Sequence, residues 1–439
     1  MSKLDAVTGR LSLRNIRSHA GAPLYRTAYA LILSDGASAA LGILYWALAA
    51  RFHTTRQVGI DSAAISTMMF LAGLAFINLR GTMLRYIPCA GANTQGLVGR
   101  AYLVSLGMAL AFSAAFLAGG SWLGLRVSFL EGQPVFMTWF VVATMAWSIF
   151  SLQDSVLTAM RQAVWVPVEN ALFGLAKIVF LVAFAALAVS HGIFLSWSLT
   201  AVLALAPVSY LIFRRLVPRH ASATAGQAAP FRMREIVRFA AGDYFGALFG
   251  LMTTTLMPII VISVAGATAN AYYYLAWTIA LPLLFISANM AVSLTVEGAR
   301  DQASLASFTR RALVQITRLL IPAVLVVTIG APLILRLFGP NYAAESTILL
   351  RLLALAAIPY GVNALFLALA RVRRQLGRVI GIQGAQCILI LGISYALLPA
   401  VGIAGVGVAW LVGQSAVAAV LVLARLGAVS RVLAMLSSR

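Results

Sequence analysis

Long apolar runs constrain this chain more than any other feature of its sequence. About a dozen stretches of roughly 20 mostly apolar residues follow one another, and each is long enough for an α-helix to cross a lipid bilayer. Only 10% of the residues are charged, against about 25% in a typical soluble domain. The sequence therefore predicts an all-α integral membrane protein, because a β-barrel would show shorter segments of alternating polarity.

The apolar runs also predict where the membrane-spanning helices lie. We place about twelve helices at 26–49, 58–79, 97–120, 135–160, 168–190, 193–213, 236–264, 268–296, 311–337, 346–370, 378–399 and 402–425. A polar segment near the chain midpoint divides them into six plus six. The predicted units are an N-terminal arm (1–25), a first six-helix bundle (26–213), a linker (214–235), a second six-helix bundle (236–427) and a tail (428–439).

The basic residues predict the orientation of the chain. Of 32 lysines and arginines, 25 fall in the arm, the linker, the tail and the connections on one side, and four fall on the other side. This asymmetry follows the positive-inside rule, so we expect the arm, the linker and the tail in the cytoplasm. It also explains the net charge of +21 without nucleic acid as a partner. The first 24 residues lack an apolar core, so we expect no cleaved signal peptide.

Residues with metal or catalytic chemistry are sparse. Cys89 and Cys387 are far apart in the sequence, and the four histidines share no metal-ligand spacing. We therefore predict no disulfide framework, no metal site and no cofactor. The short outer connections contain no paired acid–base constellation, so we predict no catalytic residues and no enzymatic activity.

Two intramembrane aspartates occur in similar surroundings. The segment SDGASAALG at 34–42 aligns without gaps with GDYFGALFG at 242–250, so that Asp35 corresponds to Asp243. Both segments carry small residues every four positions, which let helices approach closely in lipid. Helices 1 and 7 open the two halves, as expected for a parallel internal repeat. Each acid either lines a substrate cavity, the default for an intramembrane charge, or is satisfied by a neighbouring polar group.

Further charges occur inside predicted helices. Asp154 and Lys177 have similar depths on either side of the turn between helices 4 and 5, which predicts a buried ion pair. Arg318 and Arg351 either extend to the membrane surface or join Lys177 and Arg26 in a cationic cavity. Such a cavity would suit a polyanionic headgroup such as a diphosphate.

Several segments resemble those of a known family. They are LGILYWALAARFHTTRQVGIDSAAIS (41–66), LRGTMLRYIPCAGA (79–92), DSVLTAMRQAVWVPVENALFGLAK (154–177), AYYYLAWTIALPLLFISANMAVSLTVEGA (271–299), LLRLLALAAIPYGVNALFLALARVRRQLGR (349–378) and LLPAVGIAGVGVAWLVGQ (397–414). Together they resemble the polysaccharide-export flippases (Wzx type) of the multidrug/oligosaccharidyl-lipid/polysaccharide (MOP) exporter superfamily. The resemblance implies two six-helix bundles around a central cavity, a MATE-like fold.

The resemblance also implies a function. An alternating-access flippase would move a lipid-linked oligosaccharide of the undecaprenyl-diphosphate type across the bacterial inner membrane, for cell-surface polysaccharide such as lipopolysaccharide. Its partners would be the lipid-linked glycan, membrane lipids and polysaccharide polymerase or assembly proteins. One alternative is a cation-coupled multidrug exporter of the same superfamily, which acids such as Asp154 would suit. Another is a membrane polysaccharide polymerase or ligase, for which the outer connections leave little room.

Overall fold

A computed structural model describes residues 23–119, 134–162, 164–224 and 244–437 of the chain. Every regular element in these ranges is helical, which confirms the predicted fold class. The N-terminal half contains α1 (Pro23–Phe52), α2 (Thr55–Tyr86), α3 (Thr94–Gly119), α4 (Pro134–Ala159), α5 (Trp165–Ala186) and α6 (Gly192–Tyr210). The C-terminal half contains α7 (Tyr244–Thr255), α8 (Met257–Arg300), α9 (Leu305–Arg336), α10 (Pro340–Val372), α11 (Leu376–Val401) and α12 (Ala404–Ser437).

Helix α8 contains a break that separates two membrane crossings. The helical stretch Tyr244–Thr295 is 52 residues long and apolar, so it would extend ~78 Å if it were straight, more than twice the hydrocarbon thickness of a bilayer. Gly266 has φ 86° and ψ 174°, a conformation that glycine adopts without a steric cost. Residues 257–265 therefore complete the span that α7 begins, and residues 267–300 form the next one.

Ten helical segments of the described chain are long and apolar enough to cross a membrane, and the stretch broken at Gly266 counts among them once. Helix α1 is not among them, because the side chains of its first half are not described, and its described apolar part is Ser38–Phe52. When the broken stretch is counted as two spans and α1 is added, the helices account for twelve crossings. The observed helices therefore match the number that the sequence predicts.

Successive spans run in alternating directions, so the connections gather at two ends. The end that carries residues 87–93, 160–162, 301–304 and 373–375 is here named the basic end, because most of the arginines lie near it. The end that carries residues 53–54, 187–191, 337–339 and 402–403 is named the far end.

Helix α6 continues beyond its predicted end at residue 213. A π-helical segment, Leu211–Leu216, leads into a further α-helical segment, Val217–Ala223, within the sequence that we predicted to be a linker. Ile212, Leu216 and Val217 are buried against the basic ends of α2, α3 and α4. Apolar contacts therefore extend the helix into a segment whose polar composition predicts a loop.

Buried apolar side chains form two cores. The larger core includes residues of both halves, such as Trp46 from α1, Tyr273 from α8 and Trp410 from α12. The smaller core lies at the basic end and contains residues of the N-terminal half, such as Met83 and Leu157. Among the described residues, the two halves thus share a core that does not include the basic end of the N-terminal half.

Candidate functional site

Lys177, near the middle of α5, is a buried cation surrounded by aromatic rings. Its side chain is only 6% exposed. The Nζ atom lies 3.8 Å from the ring centroid of Trp197, 4.8 Å from that of Tyr45 and 5.3 Å from that of Phe173. These four residues are named the lysine cage. An ammonium ion over an aromatic face is stabilised by the negative face of the ring, and more so when the ion is desolvated.

Helices α1, α5 and α6 position the lysine cage through specific contacts. The Tyr45 hydroxyl donates a hydrogen bond to the carbonyl of Ile193 (2.8 Å) and lies 2.9 Å from Ser196 Oγ. Gly174 lies one turn before Lys177, and a Cβ atom there would be 2.9 Å from Leu41 Cδ1. The missing side chain therefore allows α5 to approach α1 closely enough for Lys177 to reach the Tyr45 ring.

The aromatic cluster continues from the lysine cage to the C-terminal half. Trp46 lies 6.2 Å from Trp197 and 4.8 Å from Tyr274 of α8, measured between ring centroids. Trp147 packs on both Phe173 and Trp197. Movement between the halves would therefore disturb rings that contact the cage.

The predicted ion pair between Asp154 and Lys177 does not form in the structure. Lys177 points into the aromatic cage, and the described residues place no carboxylate at ion-pair distance from its Nζ atom. Asp154 instead faces Asn170 and Arg80. Two residues at a similar depth in the membrane need not face each other, because the direction in which each side chain leaves its helix decides which groups it contacts.

Glu169 is a second buried acid, and the sequence analysis did not predict a site for it. Its side chain lies near Asp154, and both of its carboxylate oxygens are buried without a hydrogen-bond partner. It lines a cavity of about 340 Å³ between α4, α5 and α6, which Arg215 also lines. The π-helical segment that contains Arg215 borders this cavity, and such segments often occur at functional sites.

Asp61 forms a further buried polar cluster at the far end, which sequence analysis missed. One of its oxygens lies 2.8 Å from His191 Nδ1, and the other accepts hydrogen bonds from the backbone N–H groups of Ile193 and Phe194, both at 3.2 Å. The carboxylate thus caps the N-terminus of α6, where the helix dipole favours negative charge. An acid inside the apolar run IDSAAIS was the signal that could have indicated it.

His53 lies beside the same cluster. Burial lowers the pKa of His53, and the nearby Asp61 carboxylate opposes this shift. A Cβ atom on Gly192 would lie 3.2 Å from the His53 ring, so the ring lies close to the start of α6. No group of three His, Cys, Asp or Glu side chains in the described part of the chain is arranged to hold a metal ion.

Close backbone contact joins the two halves at the far end. A Cβ atom on Gly59 of α2 would lie 1.7 Å from the carbonyl oxygen of Ala267. The Asn270 amide donates hydrogen bonds to the Gly59 carbonyl (2.7 Å) and to Ser62 Oγ (3.1 Å). On the same end, Arg51 Nε donates to the carbonyl of Leu337 (3.4 Å). The far end is therefore closed in this structure.

Two of the remaining predicted site residues, Arg318 and Arg351, are described by the structure and do not contact the lysine cage. Arg318 on α9 and Arg351 on α10 are exposed, and Arg351 Nε donates a hydrogen bond to the carbonyl of Thr328 (3.1 Å). Arg26 and Asp35 fall in the part of α1 whose side chains are outside the described residues, and Asp243 lies outside them entirely. Their assignment to a substrate cavity stays a prediction.

Several solved structures that match the fold of this chain are transporters. No protein-family model and no curated protein matches the sequence. The lipid II flippase MurJ, in an inward closed conformation, matches with TM-score 0.70 and 12% identity over 90% of this chain and 87% of that chain. An inward-facing multidrug resistance MATE transporter of the MOP superfamily matches with TM-score 0.58 and 15% identity over 87% of this chain and 92% of that chain.

A third match is the MATE transporter VcmN from Vibrio cholerae, with TM-score 0.60 and 12% identity over 93% of this chain and 96% of that chain. Each match covers most of both chains, so the likeness extends through both six-helix halves. At these identities the likeness concerns the fold alone. The chain therefore has the fold of the MATE and MurJ transporters of the MOP superfamily.

Proposed function

We propose that this protein is an alternating-access flippase that moves a lipid-linked oligosaccharide with a diphosphate head across the bacterial cytoplasmic membrane. The observation that carries the proposal is Lys177, a buried ammonium near the middle of its helix with no carboxylate partner among the described residues. Burying a charge is costly unless an opposite charge compensates it. An anionic substrate would supply that charge, whereas a cationic drug would be repelled by it.

The aromatic rings around Lys177 suit a glycan headgroup. The rings of Tyr45 and Trp197 combine flat apolar faces with a polar hydroxyl or N–H group. A sugar ring has apolar C–H faces and hydroxyl edges, so it can pack on these faces while its hydroxyls find donors and acceptors. The Trp197 indole nitrogen is buried without a hydrogen-bond partner in this structure, so it is free to bond a substrate.

The proposed transport cycle begins in the cytoplasm. The positive-inside rule assigns the basic end to the cytoplasmic side, and the contacts of Gly59 and Asn270 close the far end. In this conformation a substrate would enter from the cytoplasmic leaflet. Opening of the α2–α8 contact would then release it to the outer leaflet. The match to a lipid II flippase at TM-score 0.70 supports a lipid-linked substrate.

A cation-coupled multidrug exporter is the second candidate, and the buried acids favour it. Asp154 and Glu169 lie near each other, and Glu169 has no donor to either oxygen. A positively charged drug or a coupling cation would compensate these carboxylates. Two structural matches are described as multidrug resistance transporters, which is consistent with this alternative.

Substitution of Lys177 tests the proposal. Purified protein is reconstituted in liposomes with a fluorescent undecaprenyl-diphosphate-linked oligosaccharide, and the fraction that becomes accessible outside is measured over time. We expect Lys177→Met to reduce flipping at least about tenfold, since one charge-assisted contact is worth ~1.5–3 kcal/mol. Lys177→Arg, which keeps the charge, should retain most of the activity.

Control measurements separate transport from folding. Both variants should elute as monodisperse protein, and Leu172→Met on the exposed side of the same helix should flip as the unmodified protein does. Unchanged flipping by well-folded Lys177→Met would contradict the proposal. Efflux of a cationic dye without movement of the glycolipid would favour the exporter.

A further inference from the structure

A cleft at the basic end of the C-terminal half is separate from the lysine cage, and none of the residues of the cage line it. It has a volume of about 760 Å³ and lies between α10, α11 and α12. We propose that this cleft holds the proximal prenyl chain of a polyprenyl diphosphate lipid, with the phosphates at Arg373 and Arg378. The inference rests on the proposed function, since it concerns the lipid carrier of the same substrate.

The lining of the cleft suits a hydrocarbon chain. Its walls consist mainly of apolar side chains such as Phe366, Ile382, Leu389 and Val420. The polar side chains in the lining, Gln375 and the two arginines, belong to the α10–α11 connection and the first turn of α11. The cleft therefore combines an apolar interior with a cationic mouth, as an amphiphile with an anionic head requires.

The length of the cleft matches one leaflet of a bilayer. Along α11 the lining extends from Arg378 to Leu389, which is ~16 Å at the rise of an α-helix. The hydrocarbon core is ~30 Å thick, so one leaflet contributes about half of this. An occupant with its phosphates at the arginines would then lie at the depth of a lipid in the leaflet on the basic side.

A network of side-chain amides lies at the inner end of the cleft. Asn363 Nδ2 and Gln386 Nε2 both donate to Gln414 Oε1, at 2.8 and 2.9 Å. This network joins α10, α11 and α12 next to the lining residues Ala385 and Ala416. Gln414 Oε1 thus accepts from both amide donors, while Asn363 Oδ1 is buried without a hydrogen-bond partner.

The charge at the mouth indicates an anionic head. Arg373 and Arg378 are exposed, and Arg378 Nη1 donates to Gln375 Oε1 at 2.8 Å. The sequence contains no aspartate or glutamate from residue 346 to residue 439, so α11 and α12 contribute no carboxylate to neutralise these arginines. Arginine binds phosphate oxygens through paired N–H donors, and two arginines suit a diphosphate.

Matched variants in the same connection test the site. Native mass spectrometry of the purified full-length protein measures the binding of undecaprenyl diphosphate as a probe. We expect the double variant Arg373→Gln, Arg378→Gln to weaken binding about tenfold or more. Arg371→Gln with Arg374→Gln, two exposed arginines that do not line the cleft, should bind as the unmodified protein does.

A second pair of variants tests the apolar part. Ala385→Trp should fill the cleft and weaken binding of the probe, whereas Ile388→Trp, at an exposed position of the same helix outside the lining, should not. Equal loss in the arginine control pair, or unchanged binding in Ala385→Trp, would overturn the proposal. Displacement of the probe by an equal amount of phosphatidylglycerol would also overturn it, since the cleft would then be a general phospholipid site.

Competition by inorganic diphosphate at the same concentration would overturn the role of the prenyl chain.

The binding experiment can be distinguished from the test of the proposed function. Normal cleft binding together with absent glycolipid flipping would refute the flippase alone. Absent cleft binding together with Lys177-dependent flipping would refute the cleft assignment alone.

Discussion

Replacement of Gly59 by alanine should open the far end of the protein. The added Cβ atom would lie 1.7 Å from the carbonyl oxygen of Ala267, and ordinary contact begins near 3.4 Å. Because backbone atoms cannot move aside as a flexible side chain can, α2 and α8 would have to separate by about 1.5 Å or more, given that packed interiors tolerate little overlap. Such a shift would lengthen and break the 2.7 Å hydrogen bond from Asn270 to the Gly59 carbonyl.

The expected cost follows from these two effects. Overpacking typically costs ~1–3 kcal/mol, which corresponds to a population shift of about 5-fold to 150-fold. The conformation with an open far end does not contain the α2–α8 contact, so the cost falls on the closed conformation alone. Gly59→Ala should therefore increase the population that is open at the far end.

Distances between two spin labels measure this population. After Cys89 and Cys387 are replaced, labels at the exposed positions Arg56 and Leu337 report the separation of the halves at the far end. Gly107→Ala is the matched control, because a Cβ atom at Gly107 meets nothing within 4 Å. A distance distribution for Gly59→Ala that is the same as for Gly107→Ala would refute the reasoning.

Three further predictions concern the buried charges and the orientation. Asp61→Asn should lower the thermal stability of the purified protein, because hydrogen bonds to a charged group contribute ~1.5–3 kcal/mol each and the carboxylate accepts those of Ile193 and Phe194; an unchanged melting temperature would contradict this role. Glu169→Met should raise the melting temperature, because it removes a buried carboxylate that has no donor. The exposed Glu297→Met serves as its control, and a lower melting temperature for Glu169→Met would show that the carboxylate has a stabilising partner. Ala223→Cys should react with an impermeant thiol reagent only after cells are permeabilised, and Thr54→Cys should react in intact cells. The opposite pattern would reverse the assigned orientation.

The helical fold was predictable, because apolar runs of membrane-spanning length depend only on local composition. The separation of the helices at 236–264 and 268–296 was predictable too, and the break at Gly266 lies between these two ranges. The end of helix 6 was less predictable. The polar composition predicts an end at residue 213, but the helix continues to Ala223 because Leu216 and Val217 are buried against other helices.

The candidate site was only partly predictable. Lys177 was identified because a charge inside an apolar run is rare, but its aromatic surroundings combine its own helix with the next helix and with Tyr45 of α1, which is distant in the sequence. Lys177 and Asp154 were paired on their similar depth in the membrane alone. Contact between two side chains also depends on where each one lies around its helix and on how the two helices pack. The contact between Gly59 and Asn270 was not predicted, because the sequence of one helix does not indicate which other helix will pack against it.

Accumulation of the lipid-linked intermediate in the cell that expresses this protein tests the proposed function most directly. The protein is depleted, lipids are extracted, and the sidedness of the lipid-linked oligosaccharide is determined with an impermeant glycan-modifying reagent. We expect a build-up of the complete oligosaccharide on the cytoplasmic leaflet, relieved by the unmodified protein and by Lys177→Arg but not by Lys177→Met. Unchanged amounts on both leaflets, together with new sensitivity to cationic drugs, would contradict the flippase and identify an exporter.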